Sequence, residues 1–296
     1  MAYALTVQRT IGVLGLGRMG SRIAVRLAAA GHSVSGFDPD PGVVIPDGVE
    51  RAASASALCA ASAVLLSALP GLAELAEAEG GIVAALAPGS LWIDLTSGDP
   101  QLAARITTRC EAVGIDVVFA PMGGGPDAAA SGDLVFYAGG AAGVIERASA
   151  TLSTLGAVEW CGPGPGDGLT IKLVANLLWF GQLAAVAEAT SLAASLGVPT
   201  ETLERVLPRT AAASSLLDGY LPLVLHDEPV PSFGIDRVVE ELSTLERLAG
   251  ERPFELSRLV ARLHRDALER FGSVDDELLV ARLLRERDGG FGHPEG

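Results

Sequence analysis

Thr10-Ile-Gly-Val-Leu14-Gly15-Leu16-Gly17-Arg18-Met19-Gly20 is the stretch whose reading decides the fold. Its first five residues make a short, mostly apolar run with the character of a buried strand, and the glycines follow at once. Residues 21–30 then read as a helix that Gly31 stops, and residues 33–37 as a second strand closed by Asp38. A glycine-rich turn by itself says little. Set between strand and helix, with an acid ending the next strand, it predicts a turn that wraps a dinucleotide. Gly15 permits the tight turn, Gly17 lets the backbone approach a pyrophosphate, and Gly20 lets the helix pack on the strand. The helix N-terminus adds amide donors and a favourable dipole, so Leu16, Arg18 and Met19 join the glycines as candidate cofactor contacts. The plain alternative is an ordinary turn between strand and helix. Asp38 selects the cofactor: a carboxylate accepts from a ribose 2′-hydroxyl and repels a 2′-phosphate. Pro39, Asp40 and Pro41 offer no arginine for that phosphate, so NAD is expected over NADP.

The alternation continues outward. Residues 63–68, 91–94 and 116–119 read as strands, with helices at 54–61, 72–86 and 101–112; Gly80-Gly81 is a predicted break in the second of these. Strands at 134–138 and 157–160, around a helix near 143–155, complete the set. The expected fold is α/β, beginning with an N-terminal Rossmann-type doubly wound parallel sheet. Ligands of such sheets bind beyond the carboxyl ends of the strands. Those ends carry Leu69-Pro70, then Thr96-Ser97, then Met122-Gly123-Gly124-Gly125. Thr96 and Ser97 have two readings: contacts to nicotinamide or substrate, or caps for the helix near Pro100. The glycine run bares consecutive amides suited to an anionic or carbonyl oxygen, or is a flexible turn.

Gly162-Pro163-Gly164-Pro165-Gly166 breaks the rhythm and predicts the boundary between a dinucleotide-binding domain, 1–165, and an all-helical domain, 166–296. Amphipathic segments follow at 169–196, 200–206, 211–225, 233–249, 254–270 and 275–287, then a short glycine-rich tail expected to fray. Within the first of these segments stands Lys172, the only lysine among 21 basic residues. A guanidinium stays protonated, whereas a desolvated ammonium can release its proton near neutrality. Asn176 lies one helical turn on, so both side chains share a face. One reading is a proton-transferring lysine with an amide steering the same substrate oxygen. The other is a lysine snorkelling from the edge of a core helix in an arginine-biased chain.

Composition bounds the partners. The chain of 296 residues is long enough for about two domains. Its net charge of −15 offers no basic stripe to nucleic acid or an anionic membrane. No apolar run is expected to span a bilayer, and the start lacks the basic region of a signal peptide. A cytoplasmic location follows as an expectation. Cys59, Cys110 and Cys161 and the four histidines are scattered, so neither a metal site nor a Ser-His-Asp device is expected.

The arrangement resembles the β-hydroxyacid dehydrogenase family, near the 3-hydroxyisobutyrate dehydrogenases and their 6-phosphogluconate dehydrogenase relatives, over nearly the whole chain. Gly15–Gly20 is similar to the family's dinucleotide turn, Ala120-Pro121-Met122-Gly123-Gly124 to its substrate loop, and Lys172 with Asn176 to its catalytic segment. Leu69, Pro70 and Thr96 fall on further cofactor-contacting positions. The resemblance implies hydride transfer between a nicotinamide and a small carbonyl or alcohol, with Lys172 as acid and base. It also implies a long interdomain helix, an all-helical second domain, and a homodimer or tetramer built through it. Three departures stand out. The loop's usual serine is Gly123. The usual Lys-Asp-Leu is Glu240-Glu241-Leu242, with Arg237 one turn earlier as a possible substitute cation. Asp94-Leu-Thr-Ser-Gly-Asp-Pro100 is also similar to the imine reductases, which usually lack the lysine. These changes predict a substrate without the usual carboxylate, or one carrying a positive group. The competing readings are an imine reductase and a dinucleotide-binding protein without turnover.

Overall fold

The computed structural model describes residues 10–231 and 233–287. The expected tail after residue 287, and the first nine residues on which the signal-peptide reading rests, lie outside the described residues. Two compact units divide the chain, Met1–Lys172 and Leu173–Gly296.

In the first unit, β1 (Ile11–Leu14) is the centre of a sheet. On one side lie β2 (Val34–Phe37) and β3 (Glu50–Arg51), and on the other β4 (Val64–Ser67), β5 (Leu91–Asp94) and β6 (Asp116–Phe119). These six run parallel. Each central strand is buried on both faces, which is why its sequence reads as a continuous apolar run and not an alternation. Trp92 packs on one face with Leu65, Phe119 and Ile106, and its neighbours Leu91 and Ile93 on the other with Ile23, Leu27 and Ile145. The helices α1 (Gly20–Ala29), α2 (Ala55–Ala61), α3 (Leu72–Ala85), α4 (Pro100–Ala112), α5 (Gly125–Ser131) and α6 (Ala142–Leu152) complete the doubly wound layers.

The sheet departs from the all-parallel expectation at its far edge. Gly124 and Gly125, both at positive φ, turn the chain back, so β7 (Met122–Gly123) pairs antiparallel with β8 (Leu134–Gly139). β8 in turn meets β6 antiparallel, and β9 (Gly156–Gly162) follows β8 in parallel. The expected break at Gly80-Gly81 is also absent, since α3 runs through both glycines. Two helical glycines cost about 1 kcal/mol each. Leu75, Ile82 and, just past the helix, Leu86 pack into the core and offset that cost.

The second unit is helical throughout its described residues: the body of α7 (Asp167–Ser195), α8 (Thr200–Val206), a 3-10 turn (Leu207–Arg209), α9 (Ser215–His226), α10 (Ile235–Ala249), α11 (Glu255–Phe271) and α12 (Leu279–Arg287). Its core gathers Phe180, Val238, Leu242, Val260 and Leu279, with a neighbouring cluster around Leu183, Leu216 and Val280. By length and composition α7 could cross a membrane, contrary to the expectation that no segment would. Phe180, Leu183, Ala184 and Ala187 put one of its faces into the helical core.

The first turn of α7 packs with the sheet's unit, which runs to Lys172, a few residues past the expected boundary after residue 165. The glycine-proline run is closely packed. A Cβ on Gly166 would come within 2.6 Å of the Pro100 Cβ, and one on Gly168 within 1.9 Å of the Tyr137 carbonyl oxygen. Leu169 is buried in the sheet's core. Glycine stands here because backbones touch, not because a linker bends.

Candidate active site

The turn after β1 is shaped by its glycines. Gly15 sits at φ +88°, and a Cβ there would fall 2.4 Å from the Ala68 carbonyl oxygen. A Cβ on Gly20 would fall 1.9 Å from the Gly15 carbonyl oxygen, so the helix starts as close to the strand as glycine allows. Gly17 differs: it is exposed, its φ is not positive, and a Cβ would meet nothing within 4 Å. The space a side chain would fill there is open for a ligand. Met19 occupies the N-cap of α1 and offers no oxygen to the helix's first amides. The Ser21 amide donates instead to the Gly17 carbonyl at 3.1 Å, and the dipole at the helix start still favours an anion.

Asp38 closes β2 and is tied into the same turn. Its Oδ2 accepts the Leu16 amide at 2.7 Å and its Oδ1 the Asp40 amide at 2.9 Å. The Leu16 amide is therefore directed to Asp38, and the Gly15 amide goes to the Phe37 carbonyl. Donors for phosphate begin at Gly17. Each carboxylate oxygen has a second lone pair for a ribose hydroxyl. The donors, the open space above Gly17 and the carboxylate beside them fit a dinucleotide, and Gly15–Gly20 with Asp38 would hold it. Arg51, the first arginine after Asp38 in sequence, donates to the Val43 carbonyl at 3.0 Å.

The ends of β4 and β5 form a second cluster. Ser67 and Asp94 are register partners, and the Ser67 hydroxyl donates to Asp94 Oδ1 at 2.5 Å. Trp92 Nε1 donates to the Ser67 oxygen at 2.7 Å, and the Thr96 hydroxyl donates to Asp94 Oδ1 at 3.0 Å. The Leu69 amide donates to the Thr96 oxygen at 3.3 Å. Burial drives the Asp94 carboxyl up to about 7, against the opposing pull of its hydroxyl donors. Thr96 is not the helix cap, because Asp99 takes that place with its carboxylate on the Gln101 amide. Pro70 is exposed beyond this cluster. Ser67 and Asp94 escaped the sequence reading, since a polar residue ending a strand reads as its terminator.

In the loop after β6, Met122 and Gly123 are strand residues, Gly124 is the N-cap of α5, and Gly125 is that helix's first residue. A Cβ on Gly123 would stand 3.2 Å from the Tyr137 hydroxyl, so that ring borders the loop where a serine side chain would project. Tyr137 was also missed; nothing in the sequence separates it from other residues of β8.

Lys172 and Asn176 lie one turn apart on α7, both half-buried. In the second unit, Asn176 Nδ2 donates to Glu241 Oε2 at 2.5 Å, and Glu241 is almost fully buried on α10. On the same helix, Arg237 Nη1 meets Glu240 Oε2 at 2.9 Å. The candidate residues thus fall into groups: the dinucleotide turn with Asp38, the strand ends with Thr96, and the α7–α10 set of Asn176, Glu241, Arg237 and Glu240.

Residues 10–162 match the family model for the NAD binding domain of 6-phosphogluconate dehydrogenase, and residues 166–284 that for the NAD-binding of NADP-dependent 3-hydroxyisobutyrate dehydrogenase. The 3-hydroxyisobutyrate dehydrogenase of Pseudomonas aeruginosa is 31% identical over 218 residues, 72% of this chain and 73% of that one. The solved structure of Mycobacterium tuberculosis 3-hydroxyisobutyrate dehydrogenase with L-serine superposes with a TM-score of 0.84 at 26% identity, covering 94% of this chain and 99% of that one. An imine reductase from Myxococcus stipitatus, 19% identical with a TM-score of 0.63 over 94% of this chain and 99% of its own, shares the fold.

Proposed function

Because the chain belongs to the β-hydroxyacid dehydrogenase family, we propose that it moves hydride between a nicotinamide and a small hydroxy compound or its carbonyl, with Lys172 as acid and base. It is an NAD(P)-dependent oxidoreductase acting on CH–OH groups. One observation carries the mechanistic reading: the sole lysine shares a helix face with an amide whose orientation a buried glutamate sets.

The bound nicotinamide supplies the hydride chemistry, and the chain supplies placement and proton handling. Lys172 donates a proton to the carbonyl oxygen during reduction, or removes it from the alcohol during oxidation. Reduction uses the ammonium and oxidation the neutral amine, so the pH optimum depends on direction. Glu241 fixes the Asn176 side chain by one N–H, which leaves the second N–H to orient the same substrate oxygen.

Asp38 favours NAD, with NADH binding at least tenfold tighter than NADPH, a difference of roughly 1.4 kcal/mol. Two features favour a substrate whose far end is neutral or cationic. The Arg237 guanidinium already meets Glu240, so the pair presents little net positive charge to a carboxylate. Gly123 brings no hydroxyl to the loop. Ile171, Val174 and Leu178 form an exposed apolar row on α7, and in our reading a second copy of the chain covers it in a homodimer or tetramer.

The test follows nicotinamide absorbance with both cofactors against hydroxyacids, amine-bearing and neutral alcohols, their carbonyls, and cyclic imines. Turnover of a hydroxy compound or its carbonyl is expected. Reduction of cyclic imines with none of the oxygen substrates would make the imine reductase reading correct.

A further inference from the structure

Asp94 lies at the centre of a buried polar network in the first unit. Ser67, Trp92 and Asp94 are wholly excluded from solvent, and Thr96 is 3% exposed. The hydrogen bonds have one direction each. Trp92 donates to Ser67 and Ser67 to Asp94; the Leu69 amide donates to Thr96 and Thr96 to Asp94. Two chains of donors therefore converge on the same oxygen, Oδ1. The other oxygen, Oδ2, is buried without a hydrogen-bond partner. A buried acid held this way costs stability, and a buried apolar residue of similar shape would avoid that cost. The arrangement does one thing an apolar residue could not: it locks the Thr96 hydroxyl so that its lone pair faces Leu69. The β4 end and the β5 end are thereby tied side chain to backbone, beyond the sheet's own ladder.

Which part of a ligand meets this tie follows from the strand order. Asp38, just after β2, would mark the adenosine ribose, and the Gly15–Gly20 turn after β1 the pyrophosphate. The order reverses between β1 and β4, so the other half of the dinucleotide lies over the ends of β4 and β5. We propose that Asp94, acting through Thr96, is a positioning residue for the nicotinamide half of the bound dinucleotide. The proposal rests on the dinucleotide reading above. Asp94 acts as an acceptor of two hydroxyl donors, a task an amide oxygen also performs. Burial raises its pKa to about 7, and its role as an acceptor makes asparagine the conservative replacement.

Calorimetric titration with two ligands tests it: NADH, and ADP-ribose, which lacks the nicotinamide. Thr96→Val should weaken NADH about tenfold and leave ADP-ribose within about twofold. Thr96→Ser should restore NADH binding, and Asp94→Asn should stay within about threefold of wild type. Asp94→Ala should lose NADH affinity as Thr96→Val does, and the double variant should be no worse than either, because the two act as one unit. Ser67→Ala serves the same comparison if Asp94→Ala does not fold, with a smaller loss confined to NADH. Equal losses of NADH and ADP-ribose would reduce the network to fold support and overturn the proposal. So would unchanged NADH binding in Thr96→Val, or additive losses in the double variant. Failure of wild type to bind either ligand is a separate result and would overturn the dinucleotide reading itself.

Discussion

Gly17 and Gly20 are three residues apart in one motif, and the structure assigns them opposite sensitivities. Gly17→Ala places a methyl group in open space, at a φ that alanine can adopt. Removing a glycine's unfolded-state freedom at such a site stabilises by about 0.4–1 kcal/mol, so the ligand-free protein should melt at the same temperature or a few degrees higher. The same methyl stands where a pyrophosphate must approach. Losing one charge-assisted amide contact costs about 1.5–3 kcal/mol, which is roughly a ten- to hundredfold weaker NADH complex. Gly20→Ala behaves the other way. Its Cβ would sit 1.9 Å from the Gly15 carbonyl oxygen, a backbone atom that cannot swing aside. Helix α1, which buries Ile23, Ala24 and Leu27, must move off the sheet or the turn must open. Overpacking of this kind costs about 1–3 kcal/mol or more, several degrees of melting temperature without any ligand.

Differential scanning calorimetry of the ligand-free variants and NADH titration of each give two independent readouts. Gly17→Ala should lose binding and keep stability, and Gly20→Ala should lose stability first. A folded Gly17→Ala that binds NADH as wild type does would refute the phosphate cradle at Gly17. A Gly20→Ala as stable as wild type would refute the close approach of α1 to β1.

Lys172→Arg keeps the charge but cannot release a proton, so turnover of whichever substrate the panel identifies should fall about 10²-fold while NADH binding is unchanged; an active variant would leave Lys172 only an electrostatic role. His264 is buried with its Nδ1 against the Val260 carbonyl, and desolvation lowers its pKa from 6.5 to about 4. The folded state thus resists protonation: His264 costs nothing above the unfolded pKa, and stability is lost as pH falls from there toward about 4, by about 2 kcal/mol between about pH 7 and about pH 5. Urea unfolding of His264→Phe at both pH values should show that much less dependence, and an equal dependence would sink the assignment. Glu240→Lys should swing preference between a carbonyl compound and its carboxylate analogue toward the acid by about fivefold, from about 1 kcal/mol of charge reversal at short range; no change would place Glu240 away from the substrate. Leu178→Glu should shift the mass measured by light scattering toward the monomer, and an unchanged mass would move the interface off this face of α7.

The first half of the site was legible because its chemistry is local. A turn that must admit phosphate needs glycines at fixed intervals, and the acid that reads the ribose must end the next strand, so both sit in one stretch of sequence. Lys172 stands out as a candidate by contrast with the arginines around the chain, and Asn176 by helical spacing alone. The run Gly162–Gly166 was legible as a domain boundary, but the sequence shows glycine without showing what touches it. In the fold Gly166 lies against Pro100 of α4 and Gly168, just beyond the run, against Tyr137 of β8, contacts visible only once the segments are placed.

Asp94 shows why the rest was hidden. Its partners are Ser67, 27 residues earlier, and Thr96, two residues later, and the first of these depends on the parallel register of β4 and β5. Strands buried on both faces carry uniform apolar runs, so their pattern does not encode register. A serine and an aspartate at two strand ends are then indistinguishable from ordinary terminators. Register makes them one device. The residues a ligand touches can be read from local spacing, whereas those that hold them in place can be read only from which strand lies beside which. A variant that disturbs the Asp94 network should therefore register in ligand geometry, through the loss of nicotinamide but not ADP-ribose contacts, with the dinucleotide motif itself unchanged.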